Sequence, residues 1–155
     1  MSLFDLFRRT TLEVPGLGTI ERRRGVWLGS IPLGASASVP LELAGSRNGV
    51  PEVRLHLARE LIGRYDALRS SIQDGLFEHY KPYLEAPDDH AMPAIQSASE
   101  VWGYVAIAHV RIEPLAGIET VEIGFDTNWD VEHTPAARFQ GWQLVEFNGS
   151  VQGVY

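Results

Sequence analysis

Apolar residues recur at Val53, Leu57, Leu61, Tyr65, Leu68, Ile72, Leu76 and Tyr80, in steps of 4, 4, 4, 3, 4, 4 and 4. That spacing holds one stripe on one face of an α-helix, so a long helix over about residues 51–85 is what any fold of this chain must accommodate. Pro51 suits a first helical position and Glu52 the first turn. Ser70-Ser71 or Asp74-Gly75 offers a place to break the helix, and Pro82 removes a backbone donor from its last turn.

What buries the stripe must come from the flanking segments, and both read as β. Residues 17–23 and 26–31 flank Arg24-Gly25, a tight hairpin turn. Residues 36–44 form a third strand, in which Pro40 cannot donate a ladder hydrogen bond and so predicts an edge or bulged strand. After a loop over 86–98, one short helical turn near Ser99–Gly103 takes Ser97 or Ser99 as its cap and Glu100 in its first turn. Strands follow at 104–112, 118–126, 136–140 and 142–147. Three strands, a long helix and four strands in separate runs predict α+β: a mostly antiparallel twisted sheet with the helix packed on one face. A chain of 155 residues reads as a single domain over 1–155, with 1–15 an N-terminal arm or short helix.

Composition then removes function classes. The chain has no cysteine, which excludes disulfide scaffolds, thiolate zinc sites and cysteine nucleophiles. The net charge of −7 is unevenly spread: residues 113–155 carry Arg138 against seven acids. That balance disfavours nucleic acid and favours a basic partner protein. Leu3, Phe4, Leu6 and Phe7 ahead of Arg8-Arg9 fit a short amphipathic turn, which more often packs on its own domain than on a membrane. The N-terminus is too short and interrupted for a signal peptide, and nothing argues for export, so a cytoplasmic protein without a membrane partner is expected.

One segment concentrates chemistry. Residues 125–134 hold Asp126, Asn128, Trp129, Asp130, Glu132 and His133. Oxygen ligands with an imidazole suit a divalent metal. Asp130, Glu132 and His133 would be ligands or, for Glu132, a general base. His109 would add a second imidazole if the strand register allows, and Asp126 would orient either histidine. The segment carries no H-E-x-x-H spacing. A structural reading accounts for the same residues: Asp130 or Asn128 caps backbone donors of the turn, Glu132 pairs with Arg138, His133 bonds backbone, and Trp129 anchors the loop in the core. His56, His79 and His90 read as ordinary hydrogen-bonded or solvent-facing histidines. No cofactor is expected beyond that candidate metal.

Trp129-Asp130-Val131-Glu132-His133, followed by Thr134–Phe139 and a Gln140-Gly141-Trp142 turn, resembles the C-terminal W-D-x-E-H signature of an uncharacterised bacterial domain family. Leu17-Gly18 and Trp27-x-Gly29 are similar too, although that family carries glycines where this chain has Thr134 and Pro135. Some of its relatives look like toxin-immunity proteins, which implies a cytoplasmic binding role by analogy. Three functions therefore stand: a non-catalytic protein-binding module, immunity-like in kind; a metal-binding protein or metal-dependent hydrolase using the Trp129–His133 loop; and a structural homo-oligomer joined through an apolar edge strand at Val39–Leu43. The absence of a convincing catalytic set leans away from an enzyme.

Overall fold

The computed structural model describes residues 10–85 and 92–154. One sheet of eight strands runs in chain order: β1 (Thr11–Val14), β2 (Gly18–Arg23), β3 (Val26–Leu33), β4 (Ser36–Ala44), β5 (Val105–Leu115), β6 (Ile118–Thr127), β7 (Ala136–Gln140) and β8 (Gln143–Asn148). Every neighbouring pair is antiparallel except β4 and β5, which are parallel. A parallel pair needs a crossover, and here it is made by helix α1 (Glu52–Glu85) and a 3-10 helix (Ala98–Tyr104). The α+β architecture expected from the segment order is present.

Three hairpins turn at Arg24-Gly25, Ala116-Gly117 and Gly141-Trp142, with both central residues at positive φ. Turns of that kind match the right-handed twist of the strands they join.

The long stripe forms one unbroken helix. Neither Ser70-Ser71 nor Asp74-Gly75 interrupts it, and Pro82 is accommodated in its last turns. Ala58, Leu61, Tyr65, Leu68, Ile72, Leu76 and Tyr80 are buried. Only the start departs from the pattern, because Val53 is 48% exposed and Ala58 takes the buried position next to a half-buried Leu57. Against this face lie Ile20, Trp27, Leu41, Leu43, Ile112, Ile123, Phe125 and Phe139, all 0–1% exposed. Burying a side chain of this size contributes about 1.5–3 kcal/mol.

The sheet curls around the helix. Consecutive helix residues touch opposite ends of it: Arg59 donates to the Pro15 carbonyl (2.8 Å) beyond β1, and Glu60 accepts from the Trp142 indole (3.3 Å) in the β7–β8 turn. Arg54 adds a two-pronged pair to Glu119 at the start of β6 (2.8 and 2.9 Å). Trp102 bonds Gln73 (2.8 Å) and lies under the Arg69 guanidinium.

Several expectations need correction. Residues 11–14, read from sequence as part of an arm or short helix, form β1. β4 is not an edge strand, since β3 and β5 flank it, but its pairing is irregular as the bulged alternative expects: Ile31 pairs with Val39 and Leu33 with Ser36, leaving one extra residue on β4. Pro40 is tolerated because β5 pairs only with Leu41–Leu43, so the missing N–H falls outside that ladder. An oligomer joined through a free Val39–Leu43 edge therefore loses its edge. The amphipathic turn at Leu3–Phe7, and residues 86–91 of the 86–98 loop with His90 among them, lie outside the described residues.

Two helix glycines give a direct test of the packing. A Cβ at Gly63 meets nothing within 4 Å, whereas at Gly75 it would lie 2.4 Å from the Phe147 ring of β8. Gly63→Ala should raise stability by about 0.5–1 kcal/mol through helix propensity. Gly75→Ala should lower it by about 1–3 kcal/mol through overpacking. Urea denaturation of both variants checks the contrast, and equal effects would refute the packing of β8 on the helix.

Candidate functional site

The outer face of the sheet, away from α1, carries a row of charge across β4 to β8. Glu42, Arg111, Glu122, Arg138 and Glu146 lie on five adjacent strands and are direct cross-strand partners: Glu42 opposite Arg111, Arg111 opposite Glu122, Glu122 opposite Arg138, and Arg138 opposite Glu146. Each step is an ion pair of 2.7–3.0 Å. Glu122 is the centre. One oxygen accepts from Arg111 (3.0 Å) and meets His109 Nε2 (2.9 Å), and the other accepts from Arg138 (2.9 Å). Burial pushes the Glu122 carboxyl up, but these donors and the two guanidinium charges outweigh it and hold it below its ordinary value. The C-terminal segment lies across the row, where Arg111 donates to the Gln152 carbonyl (3.0 Å) and the Val151 amide to the Thr134 carbonyl (2.8 Å).

The loop between β6 and β7 sits beside this row and is fixed by its own polar groups. Thr127 Oγ1 accepts from the Asp130 amide (3.2 Å). Asp130 Oδ1 accepts from the amides of Glu132 (3.3 Å) and His133 (3.2 Å), the capping role expected of an Asx residue in a turn. His133 Nδ1 lies 3.0 Å from both Asp130 oxygens, and the Tyr83 hydroxyl donates to Oδ2. Trp129 is buried, packs edge-on against Tyr80 and donates its indole N–H to His79 Nδ1 (3.0 Å). That bond leaves the His79 proton on Nε2, 3.9 Å from Asp130. The loop is thus tethered to the C-terminal end of α1.

The electrostatics follow from these contacts. Burial works to raise the Asp130 carboxyl, but hydrogen bonds from Tyr83 and His133 hold it below the usual range. Tyr83 is pushed up to about 12 by burial and by the Asp130 carboxylate it bonds. His79 is lowered by burial, against the pull of Asp130.

Of the residues singled out in the sequence, His109, Asp126, Glu132 and His133 line a single cleft of about 560 Å³ together with Thr134 and the 150–154 segment. Asp130 lies behind His133. Trp129 points the other way, into the core, as an anchor. Three expectations change. Arg138 does not pair with Glu132 but with Glu122 and Glu146. His133 bonds the Asp130 carboxylate through its ring, not backbone. Asp126 orients neither histidine, because Asp130 holds His133 and Glu122 holds His109. Among the described residues no group of three His, Asp or Glu side chains is placed to hold a metal ion. His79, Tyr83, Glu122 and Arg111 were missed as site residues. For His79 and Tyr83 the available signal was their i, i+4 spacing beside the apolar stripe.

A model of the domain of unknown function DUF6985 matches residues 16–154. The chain belongs to this family. No curated protein and no solved structure matches this DUF6985 chain. The matched span runs from the β1–β2 turn to the C-terminal segment, so it takes in the charge row, the Trp129–His133 loop and the cleft. No described helix of this DUF6985 chain is long and apolar enough to cross a membrane.

Linkage fixes the sign of the pH dependence. His79 is lowered in the folded state, so below about pH 6.5 the unfolded chain binds more protons and stability falls on acidification. Asp130 and Glu122 are also lowered, so their contribution is present above their ordinary 3.8 and 4.5 and is lost as pH drops toward the folded values. Tyr83 is raised, so its contribution is present below pH 10 and is lost as pH rises through about 12. Urea melts across pH should show His79→Gln removing the loss that begins near pH 6.5, and Tyr83→Phe flattening the alkaline limb. Unchanged profiles would refute the tether. Glu122→Gln should cost about 1–3 kcal/mol in the same assay at pH 7, because it removes the carboxylate shared by the buried Arg111 and the half-buried Arg138 and leaves each with one acidic partner. A loss under 1 kcal/mol would refute its central role.

Proposed function

We propose that the chain is a non-catalytic partner-binding protein of the cytoplasm, immunity-like in kind, that docks a basic protein at the cleft beside the Asp130–His133 turn. The observation that carries this reading is the state of the cleft's acids. Three of the seven acids of the C-terminal third are paired with arginine: Glu119 with Arg54, Glu122 with Arg111 and Arg138, and Glu146 with Arg138. Asp126 and Glu132 are not. Their carboxylates have no partner among the described residues, and no Lys or Arg lines the cleft they share. The acidic field is therefore focused where a cationic group can enter, which speeds capture of a basic partner. Val131, 88% exposed beside Glu132, supplies an apolar contact at the rim.

The metal reading has less support. Asp130 is already taken up by Tyr83, His133 and two amides, and three ligands do not converge among the described residues.

Affinity purification from the native host, with wild type and the Asp126→Asn/Glu132→Gln double variant, tests the proposal. A basic protein should be retained by wild type, released by salt, and bound at least about tenfold more weakly by the variant, a loss of about 1.4 kcal/mol. A partner held equally by both forms, or no co-purifying protein, overturns it.

A further inference from the structure

One buried atom in the cleft has no assigned role. His109 lines the cleft and is 1% exposed; its Nε2 meets Glu122, and its Nδ1 has no hydrogen-bond partner. Leaving a buried polar atom unpaired is costly, so such an atom asks for an occupant. Two features of the backbone bring the ring there. Ile107 pairs with Phe125 on the core side, and in a regular strand His109 would face the same way. The register instead shifts between Ile107 and His109, leaving Ala108 as an extra residue and turning His109 to the outer face opposite Gly124. The ring then lies over Gly124, where a Cβ would sit 2.2 Å from Cε1. Only glycine leaves room for it.

The neighbours also set the proton. Glu122 accepts from Arg111 and Arg138, and toward His109 it is again the acceptor. Nε2 therefore carries the hydrogen, and in the neutral ring Nδ1 presents a lone pair. The cleft that His109 lines is also lined by the two partnerless carboxylates, Asp126 at the end of β6 and Glu132 in the loop. Acceptors on three separate elements do not match a bare divalent ion, which gathers its ligands at about 2.0–2.6 Å. They match a planar cation whose N–H groups diverge. A guanidinium offers five such donors in one plane.

We propose that this cleft binds one guanidinium group, with Asp126 and Glu132 meeting its charge and His109 Nδ1 accepting one of its N–H groups. The site itself stands on the geometry; that the group is an arginine side chain of a protein rests on the partner-binding reading above.

The experiment is a titration of the full ¹⁵N-labelled chain with methylguanidinium chloride, following the His109 imidazole nitrogens by NMR, with sodium chloride and methylammonium chloride as matched controls. Methylguanidinium should shift the Nδ1 signal saturably and leave Nε2 in place, and the Asp126→Asn/Glu132→Gln variant should bind it at least tenfold more weakly. A His109 signal that does not saturate, or that responds equally to sodium or methylammonium, overturns the proposal. Gly124→Ala, which displaces the ring, should abolish the response; the double variant tests the same site without touching the sheet. If His109 ignores methylguanidinium while the double variant still loses its protein partner, this site falls and partner binding stands. If methylguanidinium binds but the protein partner is held equally by both forms, the site stands and its assignment to partner binding falls.

Discussion

The alternating row Glu42–Arg111–Glu122–Arg138–Glu146 is the constraint on which the rest of the outer face depends. Each charge is the cross-strand partner of the next, so the row is a statement about register across five strands. A slip of one residue on β4, β5, β6 or β7 would turn a charge into the apolar layer under α1 and an apolar neighbour such as Leu41, Val110, Val121 or Phe139 out to the row. Buried ion pairs add little net stability against a hydrophobic alternative, but breaking one is expensive. The row therefore acts more strongly against wrong registers than for the right one. It also gives the C-terminal segment its seat, through the Arg111 bond to the Gln152 carbonyl.

Much of this fold was legible in the sequence because it is local. The helical stripe, the hairpin turns and the separation of β runs from the helix each depend on residues close in the chain. What was not legible depends on pairing between distant segments. Pro40 read as the mark of an edge or a bulge because sequence shows the missing donor but not that β5 pairs only beyond it. β1 has four residues, of which only Val14 is buried, too little pattern to register as a strand.

The site was legible in part, for the same reason. The acids and histidine of 126–133 are neighbours in sequence, so their clustering was visible, as was the capping role of Asp130. Their partners were not. Arg138 was the only base nearby in sequence and so was matched with Glu132, yet the sheet gives it Glu122 sixteen residues away. The polar positions 109, 111, 120 and 122 inside two apolar strands carried a signal of their own. They alternate with Val110, Ile112, Val121 and Ile123, the pattern of a strand with a charged face rather than a solvated one.

The helix and the cleft are parts of one arrangement. Because the sheet curls around α1, the end of the helix reaches the β6–β7 loop, where Tyr83 and His79 take hold of Asp130 and Trp129. Asp130 then orders the amides and the ring of His133, and the turn it makes brings Glu132 and His133 to the cleft. On the other wall, the bulge at Ala108 and the bare Cα of Gly124 bring His109. The two walls are thus set by different means. One is hung from the helix by hydrogen bonds to a single carboxylate, and the other is built into the sheet by its register. A substitution at Asp130 therefore disturbs only the wall carrying Glu132 and His133. Disturbing His109 requires a change in the sheet itself, at Gly124, Glu122 or the bulge.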